Sequence, residues 1–236
     1  MFLTQINSQY KIIIKNVSYL TLGRILTIIL RTITFTFIVR TLDVSTYGQF
    51  ITIITYCSFF EILTLPGMGK PVYRSAVRDP DNLDKILSSK IKLRYLLVAF
   101  AVISANLAVT FFDYNKTIID LVRVFSLSII LTNLMEYFRY VFRVREDFKW
   151  ISASDILLSL SYLLLATLSL KFKLGIEALI YSNLISIFLA FLYDYYNTKR
   201  FVKIVLFGKL EIDNVFIKST ILFSITNVIW QIIAKM

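Results

Sequence analysis

Residues 17–39, VSYLTLGRILTIILRTITFTFIV, carry two arginines inside a run of side chains otherwise soluble in hydrocarbon. A helix rises ~1.5 Å per residue, so this run reaches ~35 Å and crosses a hydrocarbon core ~30 Å thick. Arg24 then lies ~10 Å from one end and Arg31 ~21 Å, too deep for the Arg31 side chain to stretch to either interface. At ~100° per residue the two are only ~20° apart, and Thr21, Thr27 and Thr34 share their side of the helix. The spacing predicts one wet face. A guanidinium at mid-bilayer costs ~2.5–3.5 kcal/mol on insertion scales, so it is expected to face a cavity or a partner. The pattern predicts a cationic cavity that handles something anionic.

The rest of the composition agrees with a life in lipid. Of 236 residues 57% are hydrophobic and only 17% charged, with a mean hydropathy of +0.72, a balance that soluble domains do not show. The fold class expected is an all-α, polytopic membrane bundle. One cysteine, Cys57, sits in an apolar run, and histidine is absent, so disulfide frameworks, zinc sites and imidazole acid–base chemistry are not expected and no cofactor is called for. The net charge of +11 does not indicate nucleic acid, because Lys and Arg concentrate in short loops between apolar runs. The first apolar run is too long for a signal peptide and has no cleavage pattern, so it reads as an uncleaved span.

Six spans are expected at 17–39, 49–65, 93–112, 118–138, 150–170 and 176–193, with a weaker seventh at 216–235 interrupted by Asn227 and Gln231. Pro66, Gly67 and Gly69 are expected to stop the second helix, and 70–92 reads as a basic loop holding a short amphipathic helix. Residues 1–200 form a six-helix lobe on this reading, and 201–236 a basic connector with the start of a seventh helix. Most of the 26 Lys and Arg residues fall at the N-terminus and in the second, fourth and sixth loops, Arg94 and Arg139 among them, which predicts a cytoplasmic N-terminus. Tyr137, Tyr140, Trp150, Tyr193, Tyr195 and Tyr196 read as an interfacial aromatic belt.

On this topology Glu61, Asp155 and Glu136 lie at the depth of Arg24, near the inner ends of their spans. An Arg24 pair with Glu61 or Asp155 would offset the burial of charge, or act as an inner gate that breaks as the cavity opens. Arg31 has no acid at its depth, and Asn183 and the threonines are its expected polar company. A planar guanidinium fork suits bidentate phosphate recognition, so Arg31 is expected to contact ligand, and Arg123, near the outer surface, is a weaker candidate. No phosphate loop, nucleophile elbow or metal-ligand cluster appears, so catalysis is not expected, although Asp113, Lys116 and Asp120 at the outer face could be read as a transferase site.

The order of features KNVSYLTLGRIL, then RTLDVSTYGQF ending in Tyr47 and Gly48, then LTLPGMGKPVYRSAVRD resembles the polysaccharide flippases, the O-antigen and teichoic acid exporter branch of the multidrug/oligosaccharidyl-lipid/polysaccharide superfamily. The resemblance implies a cell-membrane transporter that turns over an oligosaccharide carried on polyprenyl pyrophosphate, by alternating access between two six-helix lobes. Arg24 and Arg31 match that family's cationic first-lobe cavity. Drug-exporting relatives tend to carry an acid in the first helix, which this chain lacks.

The length corresponds to one lobe and a stub, and a single lobe lines only half of such a cavity. The chain is therefore expected to be truncated or to pair with a second lobe. Two other functions remain open at this point: a lobe of a multidrug or small-solute antiporter, and a non-transporting membrane partner of a polysaccharide ligase or polymerase.

Overall fold

The structure, a computed structural model, describes residues 2–64, 69–78, 83–201, 218 and 220–226, with 2–13 and 83–92 followed by their backbone alone. Its elements are α1 (Phe2–Thr41), α2 (Val44–Glu61) continued by a 3₁₀ turn (Ile62–Thr64), α3 (Gly69–Arg78), α4 (Leu83–Ala108), α5 (Lys116–Phe125), α6 (Leu127–Val144), α7 (Phe148–Lys171) and α8 (Gly175–Thr198). No strand occurs among the described residues. Five helical stretches are long and apolar enough to cross a membrane, and a sixth follows if Val44–Thr64 and Gly69–Arg78 form one bent span. Most of the expected seventh span lies outside the described residues.

Local chemistry sets the boundaries. Asp43 caps α2, its Oδ1 accepting from the Ser45 and Thr46 amides at 3.0 Å each while the Thr46 hydroxyl donates to Oδ2 at 2.6 Å. These donors, the Thr46 hydroxyl foremost, hold the Asp43 carboxyl below its ordinary range. Asn115 caps α5 through the Ile118 amide at 2.8 Å. The expected fourth span is two helices joined at Ser126, whose hydroxyl donates to the Arg123 carbonyl at 2.7 Å and accepts from Asn106 Nδ2 at 3.0 Å. Gly69 opens α3 instead of stopping a helix, and its lack of a side chain admits the Tyr140 ring, whose Cε1 would lie 2.7 Å from a Cβ there. The amphipathic helix expected in the basic loop is α3, and its Val72 and Ala76 pack on Tyr137, Phe138, Tyr140 and Val141.

The 116–144 stretch forms the middle of the bundle, with half of its apolar window buried, against 22% for α1. α1 packs chiefly on α7, and α7 in turn on α8. The seam between α1 and α7 is close: a Cβ on Gly23 would stand 2.7 Å from Ser152 Cβ, and the Ser152 hydroxyl donates to the Tyr19 carbonyl at 2.9 Å. Gly23, Thr27, Thr34 and Ile38 make the buried stripe of α1, while Leu22, Ile25, Ile28 and Ile29 remain exposed. Thr27 and Thr34 are thus packing residues and do not line a wet face. Thr34 turns its hydroxyl onto the Leu30 carbonyl at 2.8 Å, the usual way a threonine satisfies itself in an apolar setting.

The apolar core gathers Phe50, Ile53 and Cys57 of α2 with Val122 and Phe125 of α5 and Leu179 and Ile180 of α8. Cys57 packs there as expected. Two members of the predicted aromatic belt do not lie at a surface: Tyr137 and Tyr140 are only 4% and 3% exposed. Both rings are covered by α3, through Val72 and Ala76.

Candidate functional site

α6 and α7 form one wall of a cavity of about 510 Å³, facing Arg31 from α1, the end of α2 and Arg94 from α4. Its charged lining consists of Arg31, Arg94 and Arg139 with Glu61, Glu136 and Asp155. The predicted cavity therefore exists but is of mixed charge. Acids do share Arg31's surroundings, contrary to the depth argument, because α2 and α6 bring Glu61 and Glu136 inward.

The partners sort these groups into two kinds. Arg139 is shared between Asp155 at 2.7 Å and Asp194 of α8 at 3.2 Å, and also donates to Ser154 at 3.1 Å. Glu136 pairs with Arg143 two turns further along α6. Glu61 accepts from the Thr132 hydroxyl at 3.0 Å. Arg94, only 6% exposed, is held by neutral groups, with Nε donating to Asn133 Oδ1 at 3.0 Å and Nη1 to the Tyr140 hydroxyl at 2.8 Å. Arg31 donates through Nε to the Ser159 hydroxyl of α7 at 3.4 Å. Neither Arg31 nor Arg94 forms an ion pair among the described residues.

Other sequence-predicted residues fall elsewhere. Arg24 is exposed, lies outside the cavity lining and makes no ion pair among the described residues, so the expected Arg24 pair with Glu61 or Asp155 is not formed. Asp155 has taken Arg139 instead, which lies on the next helix of the same wall. Arg123 is exposed and pairs with Asp120 one turn before it, at 3.5 Å. That pair also occupies Asp120, one of the residues expected to form a transferase site.

Three residues that sequence reasoning placed elsewhere or passed over matter here: Arg94 and Arg139, counted as loop cations, and Asp194, which was passed over. Ser182, Ser186, Ala190 and Asp194 recur every four residues along α8, and all are buried. That stripe is the signal that Asp194 faces inward.

A second cavity, of about 390 Å³, lies beside the first and is lined by Gly69, Lys70, Tyr73, Tyr140, Arg143 and Phe148 together with Glu136, which borders both. Among the described residues no cluster of potential ligands could hold a metal ion.

The comparisons with known proteins point the same way as the fold. The model of the family described as "Polysaccharide biosynthesis protein" matches residues 13–236. The structure resembles that of an outward-facing multidrug resistance MATE family transporter of the MOP superfamily, with a TM-score of 0.67 and 14% identity over 91% of this chain and 52% of that one. It also resembles a MATE crystal structure in a bent conformation, with a TM-score of 0.63 and 12% identity over 93% of this chain and 53% of that one. The chain spans about half the length of these solved transporters. No curated protein matches it. With its apolar helices and a family match over nearly its whole length, the chain is a multi-pass membrane protein that belongs to the polysaccharide biosynthesis protein family, and its fold is similar to that of the MATE transporters.

Proposed function

We propose that the chain forms one lobe of a transporter that turns a lipid-linked oligosaccharide over the cell membrane, holding its pyrophosphate between Arg31 and Arg94. One observation carries this reading. Of the four guanidinium groups grouped around α6, Arg139 and Arg143 are matched by carboxylates, whereas Arg31 and Arg94 open into one cavity with neutral hydrogen-bond partners. Donors left over in a low-dielectric pocket attract an anion strongly, and the guanidinium fork fits phosphate oxygens. Arg24 lies ~10 Å before Arg31 along the helix and would meet the anion first. The second lobe that completes such a cavity would be supplied by further polypeptide.

The test is binding of a short-chain polyprenyl pyrophosphate to the purified chain in detergent. Each charge-assisted contact contributes ~1.5–3 kcal/mol, so Arg31→Gln and Arg94→Gln should each weaken binding by ~10-fold or more. Unchanged affinity in both would sink the reading. A second reading, export of a small cationic solute, is favoured by the three carboxylates in the same lining and by the multidrug transporter among the structural matches. Drug export that survives Arg31→Gln would select it.

A further inference from the structure

The second cavity, between α3, α6 and the start of α7, carries an excess of positive charge. From α3 comes Lys70, which is exposed, with Nζ 5.0 Å from the centroid of the Phe223 ring. A ring face does not neutralise an ammonium group, and Lys70 forms no ion pair among the described residues. From α6 come Arg143 and Glu136, which meet through Nη1 and Nη2 of the guanidinium, so that the Arg143 Nε–H is left over. α7 adds Phe148, and Asp147 before it is taken up by Lys149 at 3.4 Å and by Trp150 Nε1 at 3.1 Å. α4 adds no acid, since Arg94 stands on the Tyr140 ring that walls the cavity. Two cations therefore face one carboxylate among aromatic side chains.

α3 is shaped to seat what those cations would hold. Lys70, Arg74 and Arg78 follow one another at four-residue steps and are all exposed, so they form one cationic stripe along the helix. Beside it Tyr73 and Val77 stand 37% and 52% exposed, while Val72 and Ala76 on the other side pack on α6. A short helix with a cationic stripe, an exposed apolar strip and a third face anchored to the bundle matches the boundary between lipid headgroups and acyl chains. It lies at the end of the bundle that the distribution of Lys and Arg predicts to be cytoplasmic, where anionic headgroups attract basic side chains.

We infer that the second cavity binds the headgroup of an anionic phospholipid, with Lys70 Nζ and Arg143 Nε taking the phosphate oxygens. Arg74 and Arg78 face the neighbouring headgroups, and the first acyl carbons lie against Tyr73 and Val77. Free phosphate gains nothing from that apolar strip, which is why the ligand is a lipid. Arg31 and Arg94 lie outside this lining, so the site is separate from the one assigned to the pyrophosphate.

Native mass spectrometry of the purified full chain in detergent, titrated with dioleoyl phosphatidylglycerol or dioleoyl phosphatidylcholine, tests this. Phosphatidylglycerol should bind more tightly than phosphatidylcholine, and a large excess of inorganic phosphate should not displace it. Lys70→Gln and Arg143→Gln should each weaken phosphatidylglycerol binding by ~10-fold or more. Lys70→Arg should retain it. Lys116→Gln, an equal change of charge at the start of α5 and the other end of the bundle, should retain it too. If Arg143→Gln does not fold, the two Lys70 variants decide the matter, because Lys70 is exposed and pairs with no carboxylate among the described residues. Equal binding of the two lipids, unchanged affinity in Lys70→Gln, or an equal loss in Lys116→Gln would overturn the inference. Displacement by inorganic phosphate would overturn it as well, by assigning the cavity to the free anion. Neither lipid carries a pyrophosphate, so failure here leaves the transport reading standing, and failure of that reading leaves this one.

Discussion

Arg94 donates through Nη1 to the Tyr140 hydroxyl at 2.8 Å and lies 5.8 Å from the centroid of the same ring. Arg143 stands 5.5 Å from that ring as well, and Gly69 abuts it. Tyr140 therefore ties α3, α4 and α6 together and holds a cavity cation in place.

Removing that hydroxyl isolates a buried charged donor. Tyr140→Phe keeps the ring and its packing on Gly69, so the loss reports the hydrogen bond. An unmatched donor on a charged group costs ~1–3 kcal/mol, which should appear as a lower midpoint of thermal unfolding in detergent. Asn133→Ala, which removes the other partner of Arg94, should act in the same direction.

Gly23 sets how near α1 comes to α7. A Cβ there would meet Ser152 Cβ at 2.7 Å, so Gly23→Ala has to push the two helices apart. Overpacking of this kind costs ~1–3 kcal/mol. The expected signature is a lowered unfolding midpoint in Gly23→Ala that is partly restored by adding Ser152→Gly, measured as a double-mutant cycle.

Arg139→Ala should be the most damaging single change of the set. It leaves Asp155 and Asp194 facing each other without a cation, and breaking a buried pair in this way costs ~3–5 kcal/mol. Folded yield after detergent extraction should collapse, and adding Asp194→Asn should recover part of it. If Arg139→Ala is as stable as the unsubstituted protein, these contacts do not hold the three helices together.

Arg123→Ala gives the opposite expectation. Its pair with Asp120 is about half exposed, with side-chain exposures of 49% and 54%. Exposed pairs contribute ~0–1 kcal/mol. Stability and pyrophosphate binding should both stay within error of the unsubstituted protein, and a tenfold loss of binding would return Arg123 to the site.

The apolar runs made the helices legible, because crossing lipid demands ~20 apolar residues and little else. Arg31 was legible for the same reason: a charge at that depth has few acceptable places to point. Arg94 was not, because α4 begins at Leu83, before the apolar run, so that a residue at the edge of the run lies well inside its helix. Arg139 sat beside Tyr140 and Arg143 in what read as a charged helix end, and only the packing of α7 and α8 shows that it turns inward. The pairing errors share one origin. Depth along a span constrains which charges can meet, but the rotation of each helix decides which do, and rotation is set by close approaches such as Gly23 on Ser152.

That approach has a mechanical consequence. α1 leans chiefly on one neighbour, and Arg31 touches that same neighbour through Ser159. A tilt of α7 consequently carries the first helix and its deep cation along like a stave fixed to a single hoop.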